Sequence, residues 1–129
     1  GLRGSANAAE NTALPFTPVR SVAELEARLA NSDRPVMLDF YADWCVSCKE
    51  MEKFTFSDPA VRGVLAGFTL LKADVTANND DDKALLARFK LFGPPGIIFF
   101  DTRGQEISGQ RVVGYQDAER FSATLRQVL

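Results

Sequence analysis

The chain has 129 residues, two cysteines and no histidine, which excludes a Ser-His-Asp triad, a Cys-His catalytic pair and a His-ligated zinc. Two cysteines cannot fill a four-cysteine zinc site or hold an iron–sulfur cluster by themselves. Lys and Arg number 15 against 17 Asp and Glu, and a net charge of -2 gives no electrostatic footprint for nucleic acid.

Residues 1–14 are rich in Gly, Ala and Asn and read as a flexible tail or linker, leaving residues 15–129 as one domain. No apolar run approaches the ~18 residues of a membrane helix, and the first residues lack a secretory signal layout. Ser21 is placed to cap a short amphipathic helix on Val22, Leu25 and Leu29, with Glu24 completing a capping box. The run 35–42 (PVMLDFYA) is almost unbroken in its apolar character, as expected of a strand covered on both faces.

A helix is predicted to begin at Cys45 and run to Phe54, and another to restart at 57–59 with Pro59 at an early position. Residues 68–75 form a second predicted strand, followed by a helix capped over 79–82 and ending near Lys90. Residues 96–101 make a third strand, 102–104 a turn and 111–114 a fourth strand. The chain closes with a helix over 117–129 that places Phe121, Leu125 and Val128 on one stripe. This alternation predicts an α/β domain, a central mixed sheet with helices on both faces.

The chemistry concentrates in Trp44, Cys45, Val46, Ser47 and Cys48, a C-x-x-C where a buried strand meets a helix N-terminus. Cysteines at i and i+3 can close a small disulfide ring. Cys45 lies beside unsatisfied N–H groups and the positive end of the helix dipole, which favour a thiolate. Cys48, one turn inside, is expected to be less exposed and to resolve a mixed disulfide formed at Cys45. So short a loop restrains little chain entropy, which argues against a purely structural staple, and the other ligands of a metal site are missing.

Asp39 lies inside the apolar strand, where a buried carboxylate is expensive and should have a raised pKa. Glu52 follows Cys48 by four residues and shares its helix face. A helix terminus offers a thiolate roughly 0.3–1 kcal/mol. One ionised carboxylate about 7 Å away opposes it by roughly 2.4 kcal/mol at an effective dielectric near 20. Two such acids are expected to keep Cys45 a thiol until a partner docks. The three aspartates at 80–82 lack EF-hand spacing and are read as helix N-terminal charge. Phe54, Phe56, Phe99 and Phe100 are expected in the core and Trp44 on a docking surface.

Residues 39–49 (DFYADWCVSCK) resemble the active-site segment of the thioredoxin superfamily. More narrowly, residues 38–61 (LDFYADWCVSCKEMEKFTFSDPAV), 74–78 (DVTAN), 93–101 (GPPGIIFFD) and 113–125 resemble the C-terminal thioredoxin-like domain of the DsbD family of thiol:disulfide interchange proteins. The resemblance spans about residues 16–128. It implies a thioredoxin fold and a disulfide reductase without bound cofactor or metal. It implies Asp39 as the acid that assists proton transfer at the second cysteine, and Glu52 as a contributor to the site's electrostatics. Pro95 matches the cis-proline that faces the cysteines, and with Pro94 and Trp44 it falls where partners bind.

The partners implied are a transmembrane domain of the same protein as electron donor and an N-terminal periplasmic domain as acceptor, with this monomeric domain on the periplasmic face of a bacterial inner membrane. The sequence departs from the superfamily pattern at Pro94, usually aliphatic, and at Gly96, usually Thr. A free-standing thioredoxin, a disulfide oxidase and a redox-inert interaction module stand as alternatives.

Overall fold

The computed structural model describes residues 13–129. Most of the expected tail therefore lies outside the described residues. Its last residue, Leu14, is half-buried and packs against the core, so the packed chain begins inside the stretch assigned to the tail.

In chain order the elements are β1 (Thr17–Pro18), α1 (Val22–Ala30), β2 (Val36–Tyr41), α2 (Val46–Glu50), a π-helical turn (Met51–Thr55), α3 (Pro59–Leu65), β3 (Thr69–Asp74), α4 (Asp80–Arg88), β4 (Gly96–Phe100) and α5 (Ala118–Val128). The strands form one mixed sheet in the order β1-β3-β2-β4. β2 pairs parallel to β3, from Val36 opposite Thr69 to Tyr41 opposite Asp74, and antiparallel to β4, from Val36 opposite Phe100 to Phe40 opposite Gly96.

All six residues of β2 are buried, as a central strand between two helical layers requires. Side chains alternate between faces. Leu38 and Phe40 join Leu71, Ala73, Ile98, Leu25 of α1 and Leu85 of α4 in one apolar cluster. Met37 joins Leu70, Ile97, Phe99, Val61 and Leu65 of α3, and Phe121 and Leu125 of α5 in the other. Asp39 is therefore carried in the middle of a fully buried strand.

Local chemistry sets the helix ends. Ser21 Oγ accepts the Glu24 N–H at 3.1 Å, but the Glu24 carboxylate reaches back to the Arg20 N–H at 3.0 Å, one residue before the expected partner. Asp58 caps α3, with Pro59 at a position where a missing N–H costs nothing. Gly104 occupies the predicted turn with φ of +79°, which side-chain-bearing residues rarely adopt.

Three expectations are corrected. The strand predicted over 111–114 reduces to one antiparallel bridge between Val112 and Ile97, while Arg111 spends its guanidinium on the Phe89 carbonyl and Glu106. The helix predicted from Cys45 to Phe54 loosens to a π-helical turn after Glu50. That change of winding leaves Phe54 exposed rather than in the core, whereas Phe56, Phe99 and Phe100 are buried.

Candidate active site

Residues 42–45 carry the chain from the end of β2 into α2, and the Cys45 N–H closes that turn onto the Ala42 carbonyl at 3.0 Å. Cys45 is the N-cap of α2, its sulfur accepting the Cys48 N–H at 3.2 Å where Ser or Asp would ordinarily accept it. Cys45 and Cys48 are joined as a disulfide. Their exposures, 6% and 4%, barely separate them. Contacts do: Cys45 faces the helix N-terminus, while the Cys48 sulfur lies 3.7 Å from the Phe40 carbonyl oxygen, to which a reduced thiol would donate. Trp44 (60% exposed) and Val46 (72%) flank Cys45 as open apolar surface. Trp44 is nevertheless fixed, its indole N–H donating to the Thr76 carbonyl at 3.1 Å.

The Pro94–Pro95 peptide is cis. Because Gly96 pairs with Phe40, both prolines stand at the end of the sheet from which the chain enters the cysteine segment. Gly96 has a steric reason of its own: a Cβ there would meet Leu91 Cδ1 at 2.9 Å.

Asp39, at 6% exposure, has its pKa pushed up to about 8, mainly by desolvation. Lys72 opposes the rise and Glu52 adds to it. Lys72 sits beside Asp39 in the parallel register of β2 and β3, and its ammonium lies 2.8 Å from Glu52 Oε2. Glu52 is thus linked to the buried acid through Lys72, 20 residues further along the chain, a lysine that the sequence reading passed over. A cation inside a buried strand, in register with a buried acid, was the available signal.

This pairing alters the expected electrostatics of Cys45. The sequence expectation rests on two opposing negative charges. At pH 7 a carboxyl titrating near 8 is mostly protonated, and Glu52 is paired with Lys72. Neither acts as a bare charge, so together they oppose a Cys45 thiolate less than two free carboxylates would.

A second set of contacts borders the cysteines. Tyr41 Oη donates to Asp43 Oδ1 at 3.0 Å and accepts from Lys49 Nζ at 3.1 Å, and the Asp43 N–H bonds Thr76 Oγ1 at 2.9 Å. Among the described residues no group of three or more Cys, Asp or Glu could hold a metal ion.

An exchangeable cysteine pair at a strand-to-helix junction, with a cis-proline at the same end of the sheet, is a thioredoxin-type site on a thioredoxin fold. The family model for the thioredoxin-like domain matches residues 23–129. The chain is 56% identical over 116 residues to the thiol:disulfide interchange protein DsbD of Pectobacterium atrosepticum, which covers 90% of this chain and 20% of that protein. With DsbD of Ralstonia nicotianae it shares 54% identity over 132 residues, 99% of this chain and 22% of the relative. The crystal structure of the Neisseria meningitidis DsbD C-terminal domain in the oxidised form superposes with a TM-score of 0.73 at 35% identity, covering 88% of this chain and 100% of that one. This chain belongs to the thioredoxin-like domain family and, within it, to the C-terminal domains of the DsbD type. It spans about a fifth of the length of the full-length relatives it matches.

Proposed function

We propose that the domain, residues 15–129, is a protein-disulfide reductase that passes electrons by dithiol–disulfide exchange. The observation that carries this reading is the Cys45–Cys48 disulfide capping α2 at the sheet end that also holds the cis Pro94–Pro95 bond. In the reduced domain the Cys45 thiolate attacks one sulfur of a partner disulfide. That S–S bond breaks, one partner sulfur leaves as thiolate, and the other is joined to Cys45. Cys48 then gives its proton to Asp39 in its ionised form, the minor one at pH 7, and attacks the Cys45 sulfur. The mixed disulfide breaks, the second partner sulfur departs with the bonding pair, and Cys45–Cys48 closes. Two electrons have moved to the partner, and no resident cofactor or metal is required.

Glu52 and Lys72 tune the proton acceptor. Trp44, Pro94 and Pro95 form the surface on which partners dock. The similarity to DsbD supports a transmembrane domain of the same polypeptide as electron donor, an N-terminal periplasmic domain as acceptor, and a place on the periplasmic face of the inner membrane. Among the described residues no helix is long and apolar enough to cross a membrane. Cys48→Ser stalls the reaction at the mixed disulfide. Mass spectrometry of species trapped on Cys45 in a periplasmic and membrane extract is expected to recover the two DsbD-type domains. Recovery of cytosolic proteins alone would overturn the assignment.

A further inference from the structure

Tyr41 ends β2, is 7% exposed and packs in the same apolar cluster as Cys45 and Cys48. A buried ring at this position needs only apolar neighbours, yet three charged residues also meet Tyr41. The Lys72 ammonium lies 4.0 Å from its ring centroid. Its hydroxyl joins Asp43, two residues before Cys45, to Lys49, the residue after Cys48.

We infer that Tyr41 is a positioning residue of the exchange reaction, its ring seating the Lys72 ammonium beside Asp39 and Glu52 while its hydroxyl ties the chain on both sides of the cysteine pair. A lysine on a long flexible stem, with a quarter of its side chain exposed, would otherwise carry its charge out to water. Three contacts hold it back: the Tyr41 face, the Glu52 carboxylate at 2.8 Å, and the Phe16 ring at 5.8 Å. Of these, the Tyr41 face is the nearer aromatic contact and stands on the same strand as Asp39, two residues on.

The charged and titratable groups around this centre are Asp39 on β2, Lys72 on β3, Glu52 on the π-helical turn, Lys49 and Cys48 on α2, and Asp43 in the loop. Lys72 favours the ionised form of Asp39, the form that takes the Cys48 proton. Losing the ring frees Lys72 and leaves less of that base at neutral pH.

The inference takes its catalytic meaning from the proposed exchange reaction, but two of its readouts do not depend on turnover. In the wild-type domain the Lys72 ε-proton resonances are expected upfield, shifted by the Tyr41 ring current. Carboxyl NMR of the reduced domain is expected to show the Asp39 midpoint unchanged in Tyr41→Phe, which keeps the aromatic face. In Tyr41→Leu and Tyr41→Met the midpoint rises by about half a unit. The pH profile of mixed-disulfide resolution moves upward with it. Tyr41→Phe alone speeds amide exchange at Cys45 by about 3-fold, through loss of the hydroxyl tie.

Unshifted Lys72 resonances overturn the inference. So does an unmoved Asp39 midpoint in whichever of the Leu and Met variants melts cooperatively, or a Phe variant that shifts as far as they do. A domain that reduces no chromogenic disulfide would sink the proposed function instead, while the ring-current and carboxyl measurements still decide the role of Tyr41.

Discussion

Two carboxylates in this molecule are equally buried, Asp39 at 6% and Asp82 at 5% exposure, and they have opposite reasons to be there. Asp82 stands in the first turn of α4. Its carboxylate accepts the Asn79 N–H at 3.2 Å while Asn79 Oδ1 accepts the Asp82 N–H at 2.9 Å. The backbone supplies its partners, and the helix terminus supplies favourable charge. Asp39 lies in a central strand whose ladders to β3 and β4 run on both sides, so the surrounding main chain has little left to give it. A lysine one strand away must do instead. Burial of an acid therefore points to chemistry only where the local backbone cannot satisfy it.

The largest effect that would sharpen this contrast is on rate. Asp39→Asn is expected to slow resolution of a Cys45 mixed disulfide by at least ~10-fold at pH 7, followed by stopped-flow release of the partner thiol. An unchanged rate would break the contrast at its functional end.

The second effect is on stability, with the sign set by proton binding. Folded Asp39 keeps its proton up to about pH 8, whereas the unfolded chain releases it near 3.8. Between those values the folded state holds the extra proton, so stability falls as pH rises, by up to ~1.4 kcal/mol per pH unit from this group. Denaturant titrations across that window are expected to show the decline in wild type and its loss in Asp39→Asn, which is the more stable protein at neutral pH.

Asp82→Ala is expected to behave in the reverse way, losing about 1–2 kcal/mol in a denaturant titration and leaving the exchange rate unaltered. The smallest effect is expected from Glu52→Gln. Removing that charge lowers the Asp39 midpoint slightly in a carboxyl NMR titration, because Glu52 adds to the rise while the Tyr41 and Phe16 rings still hold Lys72 beside Asp39. A rise would show that Glu52 acts mainly by holding Lys72 in place.

What the sequence made legible follows the range of the interactions. Capping is local, and Ser21, Asp58 and Asn79 stand where their side chains suggest. The cysteine pair, the buried strands and the cis bond before β4 belong to contiguous segments with strong chemical character. Register is not local. That Lys72 faces Asp39, and that Glu52 reaches Lys72, depends on how β3 slides along β2 and on how α2 unwinds past Glu50. The same distance hid β1, two residues that form a strand only because Leu71 and Lys72 are there to pair with them. In residues 111–114 the apolar pattern was genuine, but Val112 alone found a ladder partner.

β1 has a further consequence. The Val19 N–H donates to the Lys72 carbonyl, so the residue before it, Pro18, turns its main chain away from the sheet. A proline in that position offers an incoming strand no N–H. A domain that exchanges disulfides with other proteins, as proposed above, would be served by a margin to which extended chains do not adhere. Pro18 gives the sheet such a margin, and leaves the cysteine-bearing end as the place where visitors can hold on.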